Sequence, residues 1–543
     1  MTRIDLRPWA GVALFVAVLA YVGCSWTTPD PLPSPSPSPS AAPARGAAGG
    51  SAASGTTSDS SDGGEKLVSN LGDPAAVLIV SGERDNYLEP CGCSPEQYGG
   101  LIRLYDFVER LHNQNHWSTA LIDLGSLTKD PAGARGGFEQ AKLKFDYALK
   151  ALKLLKYNAL ALSADDLKVG VGEALGLFLS DLEDTTKVVV ANVQLAPGYE
   201  SIIRPSLIAT AGPVKVGVTA VIDPDSLRTL VDAEKETLLP AVQDPQQVLR
   251  HVFAELASQS DYQVLMVQGP PKMAKQLAEA YPGFEIVVAT SEYDEPLNPD
   301  ADLLNGGKTM LVTVGHKGKY VGVFGFYPKG EPRLRYYRVT LNKRFNNPAL
   351  PMKKLIQDEY RQTLKTLGVV ENFTRHDHLK EPGATFIGAE NCKSCHPKTY
   401  EFWSKTGHAR AYRSLEHDPK PDTVYDAECI SCHTTGFELN SGWKSEAATP
   451  HLKGNQCENC HGPGSKHAAE PDNPKYRKGM SITIEQADAS RLCLRCHDGD
   501  NSPKFDLDPY WNKIDHNGLD TYTDPKVHLP SKVAGKNPSG SAH

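Results

Sequence analysis

Cys392-Lys-Ser-Cys395-His396, Cys429-Ile-Ser-Cys432-His433, Cys457-Glu-Asn-Cys460-His461 and Cys493-Leu-Arg-Cys496-His497 decide how the last part of this chain folds. Two thiols three positions apart match the two vinyl groups of one haem, and the histidine that follows is set to face the iron as proximal ligand. At the residue frequencies of this chain one such match arises by chance only about 0.01 times, so four point to design. Zinc held by Cys-x-x-Cys pairs is the alternative, but it uses two pairs per ion and needs no histidine directly after each pair. The reading predicts four covalently attached haems c on Cys392, Cys395, Cys429, Cys432, Cys457, Cys460, Cys493 and Cys496. The proximal ligands are then His396, His433, His461 and His497. With four porphyrins in so short a region the cofactors are the core, so short helices and long loops are expected.

Around these motifs the chain of 543 residues is ordinary: 57 Lys and Arg against 65 Asp and Glu, a formal charge of -8, and 40% apolar residues. That balance gives no footprint for nucleic acid, and the composition excludes a multi-spanning membrane protein. Three of the 11 cysteines lie outside the motifs, at Cys24, Cys91 and Cys93. Residues 1–23 carry Arg3 and Arg7 and then an uncharged run from residue 9 to 23, the layout of a bacterial export signal. Lipid attachment at Cys24 is the favoured outcome, against ordinary cleavage or a retained anchor. Residues 24–70, rich in Pro, Ser and Gly, read as a tether, and residues 531–543 as a disordered tail. The folded protein is therefore expected in the periplasm or cell envelope, tethered to a membrane.

Residues 71–345 alternate β-branched apolar runs with amphipathic stretches such as 141–155 and 245–256, which argues for an α/β domain with buried strands. The blocks Ala76-Val-Leu-Ile-Val80, Leu121-Ile-Asp-Leu-Gly125, Tyr157-Asn-Ala-Leu-Ala161, Val190-Ala-Asn192 and Gly307 to Gly322 come in an order that resembles the 5′-nucleotidase/calcineurin-like metallophosphatases. That resemblance implies an α/β sandwich with a dinuclear metal site. The chain departs at almost every ligand position. Glu83 and Asp85 stand at the Asp-x-His places, Ser126 at the Gly-Asp aspartate, and Ala164 and Asp165 at the Asn-His pair. Gln268 stands at the lone histidine, and Ser291 and Tyr293 at Gly-His-x-His. No imidazole is expected at any of these places, so the domain reads as a catalytically inactive scaffold used for docking or binding. Cys91 and Cys93, just after the first strand, form a passive pair in the favoured reading and a redox or soft-metal pair in the other.

Residues 346–383 read as a linker with a helix, connecting two bodies without building a core. From residue 384 to 530 a second resemblance appears. Gly388-Ala-Glu-Asn-Cys392, Trp403-Ser-Lys-Thr-Gly-His408-Ala-Arg-Ala411, Cys432-His-Thr-Thr-Gly-Phe437, Cys457 to Gly464 and Asn501 to His516 are similar to the tetrahaem cytochromes c that accept electrons from hydroxylamine oxidation. That likeness implies distal ligands His408, His467 and His516 and one haem without a distal histidine, which we place at His433. His451 departs from the pattern and is a candidate to close a site. His417 and His528 read as solvated, while Arg410, Arg413, Lys466 and Arg495 are candidates for haem propionates or plain surface charges. The expected function is electron relay between donor and acceptor proteins. A haem oxidoreductase acting on a small nitrogen or sulfur compound, or a metallophosphoesterase, is the alternative.

Overall fold

The computed structural model describes residues 67–90, 97–182, 185–230, 232, 235–296, 298–347, 349–378, 380 and 382–520. The export signal, most of the tether, Cys24, Cys91, Cys93, His528 and the tail lie outside the described residues. Two sheets face each other. The first runs, edge to edge, Leu334–Thr340, Tyr320–Phe326, Ala76–Ser81, Thr119–Asp123, Ala159–Ala161, Lys187–Val189 and Ile203–Arg204. Ala76–Ser81 pairs in parallel with Thr119–Asp123, with Leu78 opposite Ala120, and antiparallel with Tyr320–Phe326, with Val80 opposite Gly322. The second sheet runs Asp302–Leu304, Thr309–Thr313, Ile286–Ala289, Tyr262–Gln268, Val214–Ile222 and Ser206–Ala211.

Strand periodicity explains the layers, because successive side chains leave a strand on opposite faces. Ala76, Leu78 and Val80 join Val216, Val218, Val264 and Val288 between the sheets, while Val77 and Ile79 pack outward with Phe107 and Phe145. On the far side Leu265, Val267 and Val287 meet Leu249, Leu256 and Leu277 of the helices Pro245–Gln259 and Pro271–Ala280. Strands buried on both faces need unbroken apolar runs, and that is why these runs stood out in the sequence.

The linker corrects an expectation. Met352, Ile356, Tyr360 and Leu364 are buried and belong to the same core as the sandwich helices. Spaced four apart through the helical residues 351–367, they form one apolar stripe that lies against the sandwich. Phe386, Tyr412, Leu415, Ile430, Phe437, Trp443 and Leu452 continue that core into the carboxy-terminal part, so the sandwich and the helical region form one compact unit. Beyond it the helices are short, none of them longer than Pro397–Ser404 or Leu507–Ile514. Between residues 465 and 520 the one fully buried residue is Ala487.

Candidate functional site

Each motif is wound into about one helical turn. His396 donates its amide to the Cys392 carbonyl at 2.8 Å and His497 to that of Cys493 at 2.8 Å, while the second and third motifs end the helices Ala427–His433 and Cys457–His461. Residues three and four apart share a helix face, so both sulfurs and the imidazole of a motif point the same way. Asp426 caps the second of these motifs' helices by accepting from the Glu428 amide. Three motif rings are fixed through Nδ1. His433 donates to the Ala411 carbonyl at 2.6 Å, His461 to the Met480 carbonyl at 2.6 Å, and His497 Nδ1 lies 2.8 Å from Ser502 Oγ. An Nδ1–H bound to a carbonyl leaves Nε2 as the free lone pair, the arrangement a metal-ligating histidine needs. Burial pushes the pKa of His408, His433, His461, His467 and His497 down, which favours the neutral, ligating form.

Three of the four motif histidines face a second histidine. His396 and His467 have ring centres 6.4 Å apart, His497 and His408 6.1 Å, and His461 and His516 5.7 Å. An iron bound by two imidazoles through bonds of about 2 Å keeps ring centres roughly 6 Å apart, so these pairs fit a six-coordinate haem iron. The distal partners are themselves held: His516 Nδ1 donates to the Ile514 carbonyl at 2.9 Å, whereas His467 Nδ1 is buried with no hydrogen-bond partner. Among the described residues no histidine ring stacks against or faces His433. His451 is exposed and sits against Gly388, ahead of the first motif, and His417 is exposed. A cavity of about 1470 Å³ is lined by His408, His461, His467, His497, Cys460 and Cys496, above the range of about 300–1,000 Å³ for small-molecule pockets. Lys466 and Arg495 line it too; Arg410 and Arg413 are not among its lining residues. The Cys392 thiol lies near that of Cys457, and the Cys432 thiol near that of Cys496. Motif one therefore adjoins motif three, and motif two adjoins motif four.

The amino-terminal domain takes part in this region. Gln140, on the helix Gly137–Leu154, donates to Asp426 at 2.7 Å and accepts from the Ala427 amide, and Lys144 pairs with Glu428 at 2.5 Å. Arg135 pairs with Asp498 at 2.6 Å and lines the cavity, and Tyr87 and Lys317 both reach Asp500 at 2.8 Å. Sequence reasoning missed these residues, because Arg135 and Asp498 lie 363 positions apart and nothing local marks either of them.

The loops at the strand ends also gather the positions expected for phosphatase ligands. Glu83 is 2% exposed and accepts from the Ser291 amide at 2.9 Å, Ser126 Oγ meets Ser163 Oγ at 3.0 Å, and Gln268 donates to the Leu124 carbonyl. Ala164 and Asp165 stand beside them on the next loop, with Asp165 paired to Lys168, while Tyr293 is 54% exposed. None of the aligned positions carries an imidazole, but the structure brings one in from elsewhere. His316, from the turn between Thr309–Thr313 and Tyr320–Phe326, places Nδ1 2.8 Å from Asp85 and 3.7 Å from Glu83. Its signal, Gly315-His316 ahead of Gly318, lay outside the positions aligned to the family. Beside it the buried Arg84 guanidinium pairs with Asp123 at 3.3 Å. Among the described residues no group of three or more His, Cys, Asp or Glu side chains is arranged to hold a metal ion.

Burial pushes the Glu83 carboxyl up to about 7 against an ordinary 4.5, and the nearby His316 opposes that rise. The folded state therefore binds the Glu83 proton more tightly than the unfolded state. This contribution is full below about pH 4.5 and is lost as pH rises through about 7, a swing of about 3 kcal/mol. His316, raised mainly by the Asp85 carboxylate beside it, acts in the same direction. Urea unfolding midpoints of Glu83→Gln, which cannot ionise, should vary less between roughly pH 5 and pH 8 than those of the wild type. Equal slopes would show that Glu83 does not titrate in this window.

Opposed histidines on Cys-x-x-Cys-His turns thus lie beside a two-sheet α/β sandwich in one chain. Residues 391–462 match the family described as cytochrome c554 and c-prime. Over 136 residues the chain is 38% identical to cytochrome c-554 of Nitrosomonas europaea, a match that takes in 21% of this chain and 58% of that relative's length. The sandwich is similar to a 5′-nucleotidase precursor from Thermus thermophilus, with a TM-score of 0.43 and 18% identity over 54% of this chain and 59% of that one. It is also similar to the calcineurin-like phosphoesterase YfkN from Bacillus subtilis, with a TM-score of 0.42 and 17% identity over 54% of this chain and 98% of that one. The order of strands in the two sheets is what defines the fold.

Proposed function

We propose that this protein is an exported tetrahaem c-type cytochrome that relays electrons in the bacterial cell envelope. The observation that carries the reading is the set of three imidazole pairs at 5.7–6.4 Å, each joining a motif histidine to a histidine elsewhere. In this reading the eight motif cysteines hold four haems c, and His396 pairs with His467, His497 with His408 and His461 with His516. Haem iron supplies reversible one-electron chemistry, and burial with two imidazole ligands suits it to transfer rather than to substrate binding. The protein's own groups do the rest. Carbonyls of Ala411, Met480 and Ile514 fix ring tautomers, and the fold sets the second motif near the fourth and the first near the third. The phosphatase-like domain acts as an inactive docking scaffold, a lipid or anchor at Cys24 tethers the chain, and donor and acceptor proteins are its partners. No helix among the described residues is long and apolar enough to cross a membrane.

The unopposed His433 supports a second reading, in which the iron of the second motif is open and acts on a small nitrogen or sulfur compound. Absorption spectra of the reduced holoprotein before and after carbon monoxide test both. We expect about a quarter of the Soret intensity to shift, one haem in four. An unchanged spectrum would make all four sites closed and the protein a pure relay, and the lack of any Soret band would end the haem reading.

A further inference from the structure

The loop that follows the fourth motif is held from outside its own domain. Asp498, directly after His497, has both carboxylate oxygens engaged. Both accept from the Asn501 side-chain amide at 2.9 Å; Oδ1 also accepts from the backbone amides of Asp500 and Asn501 at 3.0 and 2.8 Å, and Oδ2 receives Arg135 at 2.6 Å. Arg135 belongs to the sandwich, in the short segment between the turn Pro131–Gly133 and the helix Gly137–Leu154. Close packing delivers it. A Cβ on Gly136 would stand 2.6 Å from Gln140 Oε1 and 2.9 Å from Glu428 Cγ, and Gly137 has φ +78° with Phe373 at 2.8 Å from where its Cβ would be. The left-handed φ of Gly137 favours glycine, and the absent side chains at Gly136 and Gly137 let this backbone lie against Glu428 and Phe373. The guanidinium is within electrostatic reach of both Cys432 and Cys496, the two thiols where the second motif nears the fourth.

We propose that Arg135 sets the reduction potential at the fourth motif by neutralising Asp498 beside the His497 ligand. The inference rests on the haem reading and deepens it, since it makes the phosphatase-like domain an internal electrostatic partner of the electron path. Reduction adds one electron, and so one negative charge, at a site where Asp498 is already negative; a paired guanidinium removes that opposition. The sign follows. Without Arg135 the lone carboxylate disfavours the added electron, and without the Asp498 charge the lone guanidinium favours it. The side chains are 31% and 32% exposed, so solvent screens part of the effect.

The test is a mediated redox titration of the full-length holoprotein, with dithionite supplying one electron per haem. At fixed poise, Arg135→Gln should lower the reduced-to-oxidised ratio of one component by about three- to tenfold, tenfold being 59 mV for one electron. Asp498→Asn, which keeps an oxygen for the loop amides, should raise that ratio. The double variant should return close to wild type, and Arg135→Lys should stay near it. The proposal is overturned if Arg135→Gln leaves every component in place, or if both single variants move in the same direction, as a merely structural pair would. Should Arg135→Gln fail to accumulate, Asp498→Asn decides alone: no rise overturns the proposal. A wild-type protein with no haem spectrum would instead sink the reading on which the proposal stands.

Discussion

Blocking haem attachment, by changing the eight motif cysteines to serine, is expected to leave the sandwich folded and residues 465–520 unfolded. In the sandwich two apolar layers and the linker stripe are buried without help from any cofactor. In residues 465–520 Ala487 alone is fully buried, so the chain there cannot offset its conformational entropy by side-chain packing. Bound groups that exist only in the folded state convert their binding energy into folding energy, on the order of 10 kcal/mol for a structural metal. Limited trypsin digestion followed by mass spectrometry reads the outcome. Cleavage at Lys466, Arg477, Lys504 and Lys513 should become fast in the serine variant, while the buried Lys144 stays protected. Equal protection of the two proteins would show that the haems are not the core of this segment.

The second large effect is expected at Arg361, on the linker helix. Its guanidinium, 3% exposed, reaches Glu89 of the sandwich and lies 3.9 Å from Asp426 at the start of the second motif's helix. Gln357 and Lys420 complete the shell around Glu89 at 3.2 and 3.4 Å. Replacing one partner of a buried pair leaves the other charge uncompensated, at a cost of about 3–5 kcal/mol. Arg361→Met should therefore lower the urea midpoint strongly, and Arg361→Lys should recover part of it. The pH dependence has a definite sign. Burial pushes the Glu89 carboxyl up, but Arg361 and then Lys420 hold it below its ordinary 4.5. A depressed carboxyl stabilises the fold above its unfolded pKa, and that contribution disappears as pH falls through the folded value. The gap between wild type and Arg361→Met should thus narrow below about pH 4.5. A gap that stays constant as the pH is taken well below 4.5 would mean the loss comes from packing rather than charge.

Both predictions draw on features that the sequence discloses unequally. The strands were legible because residues such as Val77 to Val80 are buried on both faces and so must be apolar without a break. The four motifs were legible because the Cys-x-x-Cys-His spacing is local to each of them. The opposed histidines are not legible from spacing at all. His408 precedes His497 by 89 positions yet faces it, and only the likeness to a known family singled it out. The linker stripe Met352, Ile356, Tyr360 and Leu364 was readable in principle from its period of four, but the charged residues between them suggested a solvated connector. His316 and Arg135 could not be found this way. Each acts through a partner hundreds of positions away, and a contact of that kind leaves no local pattern.

The placing of the motif cysteines also bears on how the protein is made. Cys392 lies near Cys457 and Cys432 near Cys496, so these neighbours in space are not neighbours in the chain. On the proposed export, a disulfide donor of the cell envelope can take two electrons and two protons from such adjacent thiols and join them as a disulfide. A chain that collapsed before its cofactors were installed would cross-link its first motif to its third and its second to its fourth, and each trapped sulfur would be lost to thioether formation. Covalent loading of the extended chain before compaction is the order that keeps all eight sulfurs available under the proposed function.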